Sequence, residues 1–302
     1  MVISDRGKGY FLTLIATLAM SNVYLFSKAA LNDIHLAQFG FYWFGFAVLW
    51  NFIYGLFSCR YKNIWKTSRK SWITLGLIAI LEILATTFMF TAIQTMENPA
   101  FVSFISNVSP FFVTILGILF LGEVFKRMEI PGIVLTIVGA FIVSYKPGTS
   151  LSDIFIPGAS YAFLSAFFVA VSMIIAKISI RKVHPLLISL NRVVYLFLYS
   201  FIMLLVLGQS FVIDSKPLAN IFVGSLLGPF LTAFTGYYAL KYIEASRASL
   251  IRSTKSIFVL LGAFIMFGQM PEVYQIIGGL ISLIGVILLT VGRSKKTATK
   301  TK

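Results

Sequence analysis

Apolar positions along this chain gather into ten long runs, near residues 10–30, 37–58, 72–94, 99–121, 130–146, 158–180, 186–208, 220–242, 248–268 and 273–292. A helix needs about 20 apolar residues to cross about 30 Å of hydrocarbon, so the pattern predicts ten transmembrane helices. Prolines punctuate the runs in two ways. Pro99, Pro131, Pro157 and Pro185 stand in first turns, where no hydrogen bond is lost, whereas Pro110 and Gly228-Pro229 interrupt the fourth and eighth helices away from their ends. Kinks are expected at Pro110 and Pro229, either as plain bends or as places where freed backbone groups face a cavity. The first run is long, lacks a small-residue cleavage site and has an internal copy at 158–180, so it reads as a retained helix and not a signal peptide.

The runs form two sets of five. Aligning residues 9–35 with 158–184 matches Gly9 with Gly158, Lys28 with Lys177 and His35 with His184, all 149 apart. Gly122, Gly132 and Gly139 find Gly268, Gly278 and Gly285 at a shift of 146, and Ala92 finds Ala239 at 147, so small insertions or deletions separate two copies. The expected organisation is a first repeat at 1–146, a linker at 147–157, a second repeat at 158–292 and a basic tail at 293–302. Many secondary transporters are built from paired repeats with the substrate site between them near the bilayer midplane.

Composition agrees with a membrane solvent. Of the 302 residues 58% are apolar and 12% charged, against roughly 25% charged in soluble domains. Mean hydropathy is +0.91. A lone cysteine, Cys59, excludes an internal disulfide or a multi-cysteine metal site. His35 and His184 end the loops after the first and sixth helices, where a solvated or capping role fits and a metal site does not.

A net charge of +15 invites a nucleic-acid reading, and the placement of the 25 Lys and Arg decides against it. With the N-terminus in the cytoplasm, 18 of them fall in inside segments, and only Lys146 and Lys216 fall outside. The excess is therefore a topology signal. Both termini are expected in the cytoplasm of a bacterial-type inner (plasma) membrane, with the 147–157 linker outside and the Lys/Thr tail solvated against anionic lipid. A five-helix repeat, being odd, must then insert its second copy upside down.

Ser109-Pro110-Phe111-Phe112, followed by Phe120-Leu121-Gly122-Glu123 and then Gly132 and Gly139, resembles the EamA repeat of the drug/metabolite transporter superfamily. In the second copy Ser256 replaces Pro110 and Gln269 replaces Glu123, while Gly268, Gly278, Gly285 and the pair Ala239-Leu240 remain. The resemblance implies an all-α integral membrane protein of ten helices, a 5+5 inverted repeat around a central cavity. It also implies a small-molecule substrate, since members carry amino acids, nucleotide sugars, sugar phosphates, purines and other metabolites.

Five cations remain inside the apolar runs, Lys28, Lys177, Arg192, Arg252 and Lys255, against one acid, Glu82. Ionisable groups in hydrocarbon are costly and normally face the bundle interior, water or a partner. Lys28 and Lys177 lie near helix ends, where they either snorkel or act as a matched functional pair. Arg192 lies about two turns into its helix; Arg252 and Lys255 stand three apart on one face, suited to a carboxylate or phosphate or to head-group anchoring. The resemblance adds that a sugar-phosphate branch of the superfamily holds substrate phosphate with two adjacent basic residues on the corresponding helix, whereas here Ser256 follows Lys255. Glu82 is read either as an ion-pair partner for one of the cations or as a proton carrier. Ser103, Ser106 and Asn107 share a face that lines a cavity or bonds a neighbouring helix. Tyr24, one turn before Lys28, is placed beside that ammonium. Tyr42, Trp43, Tyr237 and Tyr238 are weaker stacking candidates or interfacial belt residues.

The function that follows is a secondary carrier moving a small polar, anionic or zwitterionic metabolite, such as an amino acid or sugar phosphate, by alternating access. No nucleotide-binding loop is present, so the driving force must be a gradient, with a proton as candidate coupling ion; no cofactor or metal is implied. A lipid-modifying membrane enzyme needs a cluster of acid, base or metal ligands that the chain does not offer. An ion channel needs a repeated selectivity loop that is equally missing.

Overall fold

A computed structural model describes residues 5–58, 68–122, 127, 130–144, 157–180 and 182–292, all helix and short turns, with no strand among them. Cys59, the loop cations Arg60, Lys62, Lys66, Lys126, Lys146 and Arg181, the linker up to residue 156 and the tail from 293 lie outside the described residues. The first half supplies α1 (Asp5–Leu31), α2 (Leu36–Ser58), α3 (Arg69–Thr95), α4 (Pro99–Ile105), α5 (Ser109–Leu121) and α6 (Ile130–Ser144). The second supplies α7 (Ala159–Ser179), α8 (Pro185–Val206), α9 (Ser215–Ser225), α10 (Ala233–Ala239), α11 (Ala245–Ser253), α12 (Lys255–Phe267) and α13 (Val273–Gly292).

Against the ten spans that the apolar runs predict, eight reach bilayer length: α1, α2, α3, α4–α5, α7, α8, α9–α10 and α11–α12. The fifth and tenth runs hold shorter apolar helices, Ile130–Val143 and Val273–Gly285. Large apolar side chains cover the outside, Leu119 at 69% exposure and Ile265 at 79% among them. Such a surface is an aggregation hazard in water and ordinary in lipid. Inside, small residues let helices approach, as on the buried Thr13-Ala16-Thr17 face of α1, where both threonine hydroxyls donate to carbonyls four residues back.

The packing repeats the sequence duplication. α3 lies along α7, α1 along α9–α10, α2 along α8 and α6 along α13, with α5 on α7 and α12 on α1. Exchanging the halves turns this set of pairings into itself. The repeated glycines explain the α6–α13 pair: a Cβ on Gly139 would meet the Gly278 carbonyl at 2.4 Å, and one on Gly285 the Gly132 carbonyl at 2.6 Å. Backbones cross there with no room for a side chain. Gly122 and Gly268, both at φ 65°, close α5 and α12 in the left-handed conformation that favours glycine. His35 and His184 cap α2 and α8, each Nδ1 accepting an amide two residues on, from Ala37 and Leu186.

Candidate functional site

Among the described residues three long helices are broken near the middle of their length, and the breaks shape the site. Before Pro110, the stretch Ser106–Val108 tightens into a 3₁₀ turn and α5 starts afresh with Pro110 in its first turn. Pro229 sits inside a π-helical stretch, Leu226–Thr232, and the Thr232 hydroxyl donates to the Leu227 carbonyl at 2.9 Å. The third break, at Thr254 between α11 and α12, has no proline. It falls at the repeat position of the Ser106–Val108 turn, counting by the shift of 146. Ser253 and Thr254 donate to the carbonyls of Ser249 and Ile251, a side-chain competition that disturbs helices without proline. The sequence reading expected only the two proline kinks; a Ser-Thr pair inside an apolar run was the available signal.

The five intramembrane cations have different fates. Lys28 is buried, and its Nζ donates to the carbonyls of Met96 at 2.7 Å and Gln94 at 3.3 Å, at the C-terminus of α3. Lys177 does the same in the second copy, donating at 2.6 Å to Leu240 and to Ile243 beyond the end of α10. Helix C-termini carry unpaired carbonyls and partial negative charge, so each ammonium is satisfied by backbone. Neither lysine lines the cavities described below, and neither snorkels free. Tyr24 is therefore not the partner of Lys28: its hydroxyl donates to Ser106 Oγ at 3.3 Å and its ring lies 5.7 Å from Lys255 Nζ.

Arg192 is neutralised. Its Nε meets Glu82 Oε2 at 2.5 Å, and Glu82 Oε1 accepts from Ser172 at 2.6 Å and Tyr237 at 3.4 Å. Arg192 Nη2 reaches Thr86 at 3.4 Å, while Nη1 is buried with no hydrogen-bond partner among the described residues. Arg252 and Lys255 are left. Among the described residues neither makes a salt bridge or donates a hydrogen bond, although Lys255 is only 7% exposed and Arg252 lies within electrostatic range of Glu82.

Arg252 borders two adjoining cavities, which we call lobes, and Lys255 the smaller of them. The larger, about 110 Å³, runs from Glu82 and Arg192 past Trp43, Phe44 and Phe90 to Arg252. The smaller, about 60 Å³, holds Arg252, Lys255 and Tyr24 together with Ser106, Ser249 and Ser253. Met20, Met89, Val169, Met173 and Arg252 border both, so the lobes adjoin across a waist rich in methionine. Ser103 and Asn107 are fully buried and do not line either lobe; Ser256 on α12 donates to the Ser103 carbonyl at 2.9 Å and to Asn107 Oδ1 at 3.2 Å. They tie α4 to α12, and Ser106 alone of the three faces the cavity.

Trp43, Ser172, Thr86 and the methionines were weak or silent as sequence signals, yet the repeat predicts several of them. Counting by 149, Met20 and Tyr24 correspond to Val169 and Met173, and Trp43 to Arg192; counting by 147, Glu82, Ala85, Thr86, Met89 and Phe90 correspond to Pro229, Thr232, Ala233, Gly236 and Tyr237. Every one of these lines a lobe.

A profile described as the EamA-like transporter family matches residues 7–145 and again 156–291, which covers both repeats. Two curated relatives are similar. An uncharacterized transporter of Methanothermobacter thermautotrophicus is 23% identical over 293 residues, covering 93% of this chain and 85% of the relative. An uncharacterized transporter of Synechocystis sp. is 23% identical over 248 residues, covering 78% and 70%. A solved crystal structure superposes with a TM-score of 0.71 at 15% identity over 94% of this chain and 96% of the other, a shared fold.

Proposed function

Because this chain belongs to the EamA-like transporter family, we propose that it is a secondary carrier whose substrate is a small polar metabolite with an anionic group, held between Arg252 and Lys255. One observation carries the reading: these two cations make no salt bridge or hydrogen bond among the described residues and line a cavity, while Lys28 and Lys177 are held by backbone carbonyls and Arg192 by Glu82. A buried cation without a counter-charge is unfavourable, and a carboxylate or phosphate entering the small lobe relieves two at once by charge-assisted hydrogen bonds. A panel of carboxylates, sugar phosphates, amino acids and organic cations, screened by thermal shift on the purified chain, identifies the ligand. Proteoliposomes preloaded with that ligand should then take up its labelled form faster than empty ones, and Arg252→Gln should lose the effect. Uptake indifferent to preloading indicates a channel, and stabilisation by cations alone refutes the anion site.

In this reading the carrier has ten spans, α6 and α13 being the fifth and tenth, in a 5+5 inverted arrangement with both termini in the cytoplasm and the 147–157 linker outside. The 18-to-2 distribution of basic residues supports it. In a Cys59→Ser background, Asn32→Cys and Lys182→Cys occupy matching loops of the two repeats and should react with an impermeant thiol reagent from opposite sides. Reaction from one side breaks the inversion.

Glu82 acts first as the counter-charge of Arg192. Its place on the cavity wall favours a second role as proton carrier. Loss of pH dependence with retained counterflow in Glu82→Gln supports that role; unchanged pH dependence removes it.

A further inference from the structure

We infer that a single ligand fills both lobes, and that it is a planar or aromatic acid with net negative charge, its anionic group at Arg252 and Lys255 and its apolar body at Trp43, Phe44 and Phe90. The inference rests on the anion-carrier reading above and narrows it.

The two lobes differ in chemistry. Around the small one, two cations and a set of serines stand close together. Ser106, Ser165 and Ser253 already donate to backbone carbonyls, so the donors available to an anion are the Arg252 guanidinium, the Lys255 ammonium and the hydroxyls of Ser109 and Ser249. Beyond the waist the wall combines the Glu82–Arg192 pair, Thr86, Thr232 and Tyr237 with an aromatic set, Trp43, Phe44 and Phe90. Trp43 is 1% exposed, tilted by 33° against Phe39 at 4.8 Å and edge-on at 5.8 Å to Phe90, which hold the indole rigidly at the edge of the lobe. Room for that indole is built into α9–α10: a Cβ on Gly224 would meet Trp43 at 2.3 Å, and one on Gly228 would meet it at 3.1 Å. Met20, Met89 and Met173 separate the lobes, and unbranched thioether chains yield to a body passing between them.

Net charge follows from Glu82. An amino acid presented to this cavity carries an ammonium beside its carboxylate, and that ammonium needs a carboxylate partner. The cavity offers one, and Arg192, Ser172 and Tyr237 already occupy it. The ammonium would instead stand next to Arg252 and Lys255, where like charge repels it. An acid lacking the amino group fits without that conflict.

The test uses four probes on the full-length purified chain, with binding read by titration calorimetry: 3-phenylpropionate, propionate, phenylalanine and phenethylamine. 3-Phenylpropionate should bind roughly tenfold or more tightly than propionate, because its ring is buried, and also more tightly than phenylalanine. Arg252→Gln should weaken both acids. Trp43→Leu should remove only the advantage of the ring, and Phe44→Leu serves the same end should the tryptophan variant fail to fold. If propionate matches 3-phenylpropionate, the aromatic lobe holds nothing and the inference falls while the anion carrier stands. If phenylalanine binds as well or better, Glu82 accepts the ammonium and the net-anion clause falls, again with the carrier intact. Binding of phenethylamine in preference to the acids, or of no acid at all, brings down both the inference and the reading beneath it.

Discussion

At equivalent positions the two halves of this protein either share their chemistry or differ in it, and the two cases have different consequences. Lys28 and Lys177 match, and both close the end of the third helix of their own repeat through backbone carbonyls. Gly132, Gly139, Gly278 and Gly285 match, and together they let α6 cross α13. His35 and His184 match as helix caps. Differences concentrate at the cavity. Arg252 and Lys255 stand where the first copy has Ser106 and Ser109, Arg192 stands where it has Trp43, and Glu82 stands where the second copy has Pro229. Shared chemistry therefore holds the scaffold, whereas diverged chemistry supplies the charges and the aromatic rings that line the cavity.

Glu82→Gln is the substitution most able to break this division, since it changes a diverged position that also carries structure. It leaves the Arg192 guanidinium buried without its counter-charge, and removing one partner of such a pair costs about 3–5 kcal/mol. Unfolding of the detergent-solubilised chain should show a loss of that order, largely recovered in the double variant Glu82→Gln/Arg192→Met. If the single variant is as stable as the parent, the pair contributes nothing to the scaffold and Glu82 belongs wholly to the site.

Matched positions should answer alike. Lys28→Met and Lys177→Met each remove two charge-assisted bonds to helix-end carbonyls, worth about 1.5–3 kcal/mol per bond and less where one carbonyl finds water. The two variants should lose similar stability and keep the parent's ligand affinity. A variant that melts normally but binds poorly would move that lysine from scaffold to site and dissolve the symmetry argument.

Much of this was legible in the sequence because it depends on run length, on glycine spacing and on self-similarity. The helices, the two repeats and the presence of Arg252 and Lys255 on one helical face all came from such patterns. What stayed hidden depends on direction. Lys28 and Tyr24 lie one turn apart on α1, yet their side chains diverge, one toward the end of α3 and the other toward Ser106 and Lys255. Spacing along one helix cannot tell which neighbour lies opposite. Ser103 and Asn107 share a face with Ser106, but the α12 crossing covers the first two and leaves the third at the cavity. The break at Thr254 escaped because proline is the obvious breaker and hydroxyl competition is a weak one.

Arg252→Gln and Lys255→Gln should have the smallest effect on stability, and its sign is the informative part. At a position whose charge supports the scaffold, neutralisation exposes an unmet partner and the protein loses stability, as at Glu82. Arg252 and Lys255 make no salt bridge among the described residues, Glu82 attracting Arg252 only at longer range, and placing two like charges beside one cavity opposes folding. Removing either charge should therefore leave the unliganded protein as stable as the parent or slightly more so, within about 1 kcal/mol of the mutational norm for positions away from packing. Affinity for the ligand should fall ten- to a hundredfold in the same variants, because a charged hydrogen bond to a bound anion is worth about 1.5–3 kcal/mol. Thermal melting with and without ligand separates the two effects. If ligand-free melting drops sharply for either variant, that cation has a structural partner, and the contrast between matched and diverged positions fails at the residues on which it most depends.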